Sequence, residues 1–438
     1  MRCRQTTEGL SAITLLPTRA TLTTDYQYGD ANWPDRPTAI VSESIAASGT
    51  AVEQSRTRTF VYDAFTGTTL SQSATGWSGG VYATRTTTTT LYNGTEAAAF
   101  TPGGNFDAAW LTLPQPGGRP KSSDGPRTDA SDITRFVYYP IHPTVPALLR
   151  GKLAATKNAA GHISRLEHYD VFGNVLRTSD ANAVAHEFTY DTLGRLLTST
   201  VKAVPGCDVA LDEWCATDLT HARTYASAGP LVSETLPRGG RTTYVYDSRG
   251  RVQSLTRGQL DEPRERIEYG YDPLTGNKSL ERTLARENGS WVEKTQQSFT
   301  YDALGRLTRT THADEHYVQY AYDAADQMVS IRDENHATAT LPNTTYAHGP
   351  SGLLEQVTQA LAGAPNGVIS TTYSYDVHGN LVSVTDPNGN VTTYLYDDFD
   401  ELAQTVSPVT GTTAYMYDAV GATPVDHGCQ RSDDHSDV

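Results

Sequence analysis

Tyrosines and β-branched residues alternate with other residues along this chain in short runs, each closed by Asp, then Gly, then Arg or Asn. In Thr242-Thr243-Tyr244-Val245-Tyr246 the tyrosines stand two apart, so both point to one face of a strand. Such residues suit a pleated, half-buried surface. The run stops at Asp247, whose carboxylate can accept from backbone amides two residues on. Gly250 follows at the end of a hairpin loop, where a positive φ costs any other residue about 1–2 kcal/mol. Arg251 and an apolar residue then open a return strand.

The second tyrosine of each run serves as a ruler. Tyr169 and Tyr190 are 21 residues apart, as are Tyr225 and Tyr246, Tyr301 and Tyr322, Tyr375 and Tyr396, and Tyr396 and Tyr417. Residues between them also agree: Asp386 to Asp397 matches Leu236 to Asp247 position for position. Glycines recur four residues after the ruler, at Gly173, Gly194, Gly250, Gly305 and Gly379. Asp386-Pro387-Asn388-Gly389 supplies a second turn between units. The interval from Tyr271 to Tyr301 is longer, and a worn copy surrounds His348 and Gly352. One unit therefore reads as a two-stranded hairpin with a turn at each end.

A lone hairpin is marginal in water. Stacked units cover each other's tyrosine faces, each cross-strand pair adding about 0.2–1 kcal/mol, so stability belongs to the array. The fold class expected is all-β, with roughly ten tandem hairpins of about 21 residues each. Three regions follow: an irregular, strand-rich part over 1–157, continuous with the same sheet system; the array over 158–421; and a polar, disordered tail over 422–438. The last unit reaches Tyr417-Asp418-Ala419-Val420-Gly421 and is expected to stop in mid-hairpin. The Pro- and Gly-rich stretch from Pro114 to Pro126 reads as a loop or linker, and Thr86 to Thr90 as exposed strand.

Composition narrows the function classes. Hydrophobic residues make up 37%, and 36 glycines raise the apolar share towards the globular range, so disorder is not the default. A formal net charge of −16 argues against nucleic acid and anionic membranes, and the 34 Lys and Arg are scattered. No apolar stretch approaches the ~20 residues of a membrane span, and Ala12 to Leu16 is too short for a signal-peptide core. Four cysteines make no disulfide framework or zinc pair; Cys207 and Cys215 share an insertion loop, either as a local disulfide or as free thiols.

Two segments resemble catalytic or metal motifs. His312-Ala313-Asp314-Glu315-His316 matches the H-x-x-E-H pattern of zinc hydrolases, which needs a helix to put both histidines on one face. Its register with Asp386 to Asn390 instead places it on a turn between units. Asp426, His427, Cys429, Asp433, Asp434 and His435 could chelate a metal, but a polar terminus contains such residues routinely. Stacked tyrosines could offer a sugar platform; the plainer reading is a packed wall. No catalytic, cofactor-binding or metal residue is assigned and no cofactor is expected.

Thr189-Tyr190-Asp191-Thr192-Leu193-Gly194-Arg195-Leu196 and Thr300-Tyr301-Asp302-Ala303-Leu304-Gly305-Arg306-Leu307 closely resemble the YD repeats of RHS proteins, which include bacterial polymorphic toxins and, more distantly, animal teneurins. The resemblance is strong from about Asn158 to Gly421 and weak before it, with echoes at Tyr26-Gln27-Tyr28 and Val61-Tyr62-Asp63. It implies a spiral sheet or partial hollow shell around a C-terminal toxin domain. No D-P-x-G-L-type self-cleavage segment or toxin domain is recognisable in this sequence, which therefore looks like a C-terminally truncated fragment. The expected role is a non-catalytic, encapsulating scaffold of a secreted toxin, cytoplasmic before export and then secreted or at the cell surface. Its partners would be the toxin domain and components of a secretion machinery. The alternatives are a surface protein that binds carbohydrate or mediates adhesion and, remotely, a zinc hydrolase.

Overall fold

The computed structural model describes residues 2–10, 19–45, 52–78, 81–127, 131–203, 217–227, 229–259, 262–336 and 342–417. Among them the fold is all-β, with short 3-10 turns but no α-helix. Nine strands precede the array: β1 (Arg2–Leu10), β2 (Arg19–Gln27), β3 (Ala39–Ile45), β4 (Val52–Tyr62), β5 (Thr69–Ser78), β6 (Val81–Leu91), β7 (Pro120–Asp124), β8 (Thr134–Tyr138) and β9 (Leu153–Lys157). Ten hairpins follow. They are β10–β11 (Ile163–Tyr169, Val175–Ser179), β12–β13 (Ala185–Tyr190, Leu196–Val201), β14–β15 (Leu219–Tyr225, Leu231–Thr235), β16–β17 (Gly240–Tyr246, Val252–Gln259) and β18–β19 (Glu262–Tyr271, Lys278–Glu287). The others are β20–β21 (Ser290–Tyr301, Leu307–His312), β22–β23 (Tyr317–Tyr322, Met328–Asp333), β24–β25 (Thr344–His348, Leu354–Ala360), β26–β27 (Val368–Tyr375, Leu381–Thr385) and β28–β29 (Val391–Tyr396, Leu402–Ser407). A final strand, β30, spans Gly411–Ala414.

Each strand pairs antiparallel with its neighbours in sequence, from β1–β2 through β29–β30, giving one continuous open meander. Short connections make this the simplest topology for tandem hairpins. At the ruler position of all ten hairpins the register shifts by one residue, so each turn carries a bulge. The shift brings the ruler opposite the first residue of the return strand, as in Tyr190 with Leu196, Tyr246 with Val252 and Tyr301 with Leu307. The apolar residue that follows Arg or Asn in the repeat is thus the cross-strand partner of the tyrosine.

Gly173, Gly194, Gly250, Gly305 and Gly379 all take positive φ, as the repeat spacing predicts. The segment from Asp386 to Asn390 also forms its predicted turn: the Asp386 carboxylate accepts from the amides of Asn388 and Asn390, each at 2.8 Å. Part of the Pro- and Gly-rich stretch departs from expectation. Pro120–Asp124 is β7, and Gln115 is 1% exposed, its Oε1 accepting the Tyr138 amide at 2.7 Å. Pairing with β6 and β8 overrode the local signal there.

Among the described residues, the cluster of buried apolar side chains forms one pad. Phe106, Trp110, Val137, Tyr139, Val145, Leu149, Ala154 and Tyr169 bury one another, drawn from the connections after β6 and β8 and from the strands beneath. Phe106 stacks on Tyr139, and Trp110 meets both edge-on. Burial and its hydrogen bonds pin the ring of Tyr139, whose hydroxyl donates to Asn105 Oδ1 at 3.0 Å. Across 158–417, by contrast, the buried described residues are Tyr169, Ser179, Ser233, Ser254, Leu255, Thr310 and Asp398. The array is therefore a single layer of sheet, half-exposed on both faces.

That layer curls back on itself. The β28–β29 turn reaches the N-terminal strands: the Asp398 amide donates to the Trp77 carbonyl at 3.0 Å, and Asp398 Oδ2 accepts the Trp77 amide at 2.7 Å. Glu401 forms a two-pronged ion pair with Arg85, at 2.6 and 2.7 Å. About 23 strand spacings of about 4.8 Å separate β6 from β29, an arc of about 110 Å; brought end to end, it encloses a width of about 35 Å.

Candidate functional site

The most repeated arrangement of polar side chains is the contact between neighbouring hairpins, where the letters of the repeat each have a partner. Asp191, Asp247 and Asp302 each accept from the amide two residues on, at 2.9–3.0 Å. Each also accepts the amide four residues on, from Arg195, Arg251 and Arg306. Those four-residue amide bonds are the foremost reason the three carboxyls sit below the usual carboxylate range. The guanidinium of the same arginine returns to the carboxylate, Nε to Oδ2, at 2.7–2.8 Å.

The arginine then links one hairpin to the next. Arg195 Nη1 donates to the Gly229 carbonyl at 2.7 Å, Arg251 Nη1 to Gly276 at 2.9 Å and Arg306 Nη1 to Asp323 at 2.8 Å. Each guanidinium also lies over the next ruler ring: Tyr225 at 4.6 Å, Tyr271 at 4.1 Å and Tyr322 at 5.0 Å. Rulers reach the other way. The hydroxyls of Tyr225, Tyr246, Tyr271 and Tyr417 donate to the carbonyls of Leu196, Leu231, Val252 and Leu402, the first return-strand residues of the preceding hairpins. Tyrosine points backwards and, in the Arg195, Arg251 and Arg306 turns, arginine points forwards, so the two residues tie neighbouring hairpins from both sides.

Where asparagine replaces arginine, the turn survives without the guanidinium. Asn174 Nδ2 and Asn380 Nδ2 bond their own Asp170 and Asp376 at 2.8 and 3.0 Å. The sequence pattern placed Asp, Gly and Arg at a turn but contained no signal for the contact between units, which is between residues 17 to 34 apart. Several turn tips, among them Phe172, Leu193, Leu274 and Leu304, remain exposed.

The zinc-like segment lies where the repeat register put it. His312 ends β21 and His316 precedes β22; the His312 amide donates to the His316 carbonyl at 2.8 Å, closing a turn. Glu315 takes φ 69° at the position of Gly389. His316 Nδ1 pairs with Glu334, which raises the imidazole above its ordinary range, with Asp314 adding to the shift. His312 Nδ1 instead lies 3.4 Å from Gln297 Nε2. The helix that the hydrolase pattern requires is not formed, and no group of three or more metal-binding side chains gathers among the described residues. Cys207, Cys215 and the chelating residues of the tail lie outside the described residues. For a sugar platform, one ring face of Tyr225, Tyr271 and Tyr322 is already covered by guanidinium.

The sequence profile of the RHS Repeat family matches residues 225–259, 296–338, 362–390 and 375–413. All four stretches lie within the hairpin array. No curated protein matches the chain in sequence. Among solved structures, the chain is similar to TcdB2–TccC3–Cdc42, with 15% identity, a TM-score of 0.43 and coverage of 93% of this chain and 24% of that one. It is also similar to TcdB2–TccC3 without its hypervariable C-terminal region, at 14% identity, TM-score 0.41 and coverage of 94% and 23%. A Tc holotoxin pore of Photorhabdus luminescens matches at 16% identity, TM-score 0.36 and coverage of 94% and 24%. The chain thus spans about a quarter of the length of these chains. No helix among the described residues is long and apolar enough to cross a membrane.

Proposed function

We propose that this RHS array is a stretch of wall in a hollow shell that encloses and carries a C-terminal toxin domain of a secreted protein, without chemistry of its own. The observation that carries this reading is the single-layered, curled sheet: ten hairpins with almost no buried interior, the last of which returns to β4–β6 across an arc wide enough to leave a lumen. A catalytic fold needs preorganised side chains in a dry pocket. The repeated Asp, Arg and Tyr groups instead hold neighbouring hairpins together. An acidic, self-repelling surface suits a carrier that stays soluble during export.

Electron microscopy of the purified chain tests the wall directly. A curved particle with a central region of low density is expected, and a filled, compact particle would refute the shell. The cargo is tested by joining a toxin domain to the C-terminal side of the chain in one polypeptide and digesting it with a protease. The enclosed domain should survive while RHS turn tips are cut; a C-terminal domain degraded as fast as the free domain would rule out enclosure.

A further inference from the structure

The β28–β29 turn breaks the repeat in a way that changes its job. The rule is Tyr-Asp-x-x-Gly followed by Arg or Asn, but Tyr396-Asp397-Asp398-Phe399-Asp400-Glu401 puts Asp at the glycine position and Glu at the arginine position. Asp400 still takes φ 64°, and the Asp397 carboxylate still accepts the Phe399 and Glu401 amides, so the turn itself is intact. What is lost is the cation with which Arg195, Arg251 and Arg306 reach forward to the next hairpin.

The altered residues face the opposite end of the sheet. Glu401 holds Arg85 of β6 through both oxygens, with both side chains about five-sixths buried. The Arg85 guanidinium also lies 4.1 Å over the ring of Phe399, whose counterparts Phe172, Leu193 and Leu304 are exposed tips. Asp400 pairs with Arg56 of β4 at 3.0 Å. Asp398, 8% exposed, exchanges two hydrogen bonds with the backbone of Trp77 in β5. Gln54 Nε2 reaches the carbonyls of Tyr396 and Asp397 at 3.4 and 3.3 Å. The receiving strand is shaped for this approach: a Cβ on Gly76 would stand 2.6 Å from Asp398 Cβ.

We infer that the 397–401 turn is a latch, which holds the two ends of the curled sheet together and whose release opens the wall. Continuous ladders join every other pair of neighbours in the sheet, so separating those means unpairing strands. The latch joins its two sides by ion pairs and a few hydrogen bonds around one turn, and it can let go while every ladder stays formed. Release depends on the closed arc alone and not on a cargo; the inference rests on the shell reading only for its consequence, access to the lumen.

Paired spin labels measure closure on the full chain. Thr87→Cys and Val409→Cys supply the label sites, with Cys3, Cys207, Cys215 and Cys429 changed to Ser. The parent should give one narrow distance. Glu401→Arg should lose it in favour of a broad, longer distribution, and Arg85→Glu added to Glu401→Arg should recover it. Gly76→Ala should open the wall as well, since it wedges the receiving strand without altering any charge. Far-UV circular dichroism checks that the sheet persists; should Glu401→Arg fail to fold, Gly76→Ala decides. A narrow distance that survives Gly76→Ala, or a parent with no narrow distance, overturns the latch. Neither result bears on whether a cargo is enclosed, which the protease test reads separately.

Discussion

At the scale of single residues, the repeat is a set of backbone requirements met by particular side chains. Gly250 has φ 79° and no atom within 4 Å of where a Cβ would stand, so only backbone strain opposes a substitution there. Gly250→Ala should therefore cost about 1–2 kcal/mol, read as a shift of the denaturant midpoint. The turn aspartates carry a pH signature. Asp191, Asp247 and Asp302 are held below their ordinary range when folded, so their contribution is fully present above the unfolded carboxylate value of about 3.9. It is lost as pH falls through the folded values. Acid titration of the unfolding midpoint should show this loss, and Asp302→Asn should reduce its depth while leaving the neutral-pH chain folded.

At the scale of the hairpin, the unit of stability is the link between neighbours. Arg251 closes its own turn on Asp247, donates to Gly276 and covers Tyr271. Arg251→Asn keeps the first interaction, as Asn174 and Asn380 do, and loses the other two. The expected outcome is earlier hydrogen exchange in the β18–β19 hairpin than in the parent, with the β16–β17 turn still protected. Arg251→Lys should behave similarly, because an ammonium group cannot reproduce the planar fork. Equal exchange in both hairpins of either variant would show that strand ladders alone join the repeats. Ordering of these units was legible from the 21-residue spacing. The forward and backward bonds were not, since a side chain's reach across a strand boundary leaves no mark on periodicity.

At the scale of the whole molecule, stability is unevenly spread. The pad around Phe106, Trp110 and Tyr139 is buried as ordinary protein interiors are, whereas the array is thin. Trp110→Ala should cost about 3–5 kcal/mol in a denaturant titration. Leu304→Ala, at a tip 74% exposed, should stay within about 0.5 kcal/mol of the parent. Comparable losses in the two variants would mean that the tips are covered in solution. The pad escaped sequence reading because Phe106 and Trp110 come from irregular connections, where neither a period of two nor a helical period exists to reveal a buried face.

The all-β class, the hairpin unit, the turns at Gly173, Gly194, Gly250, Gly305 and Gly379 and the demotion of His312 and His316 to a turn all followed from the order of residues. Those properties are local: alternation selects a strand, Asp and Gly select the bend, and both act within a few residues. Closure of the sheet was decided elsewhere. Trp77 and Asp398 are 321 residues apart, and Arg85 and Glu401 are 316 apart. In the sequence, Asp400 and Glu401 are merely a worn copy of Gly and Arg. Only the accumulated curl of the intervening strands brings them to Arg56 and Arg85, where the lost repeat residues become a second kind of contact.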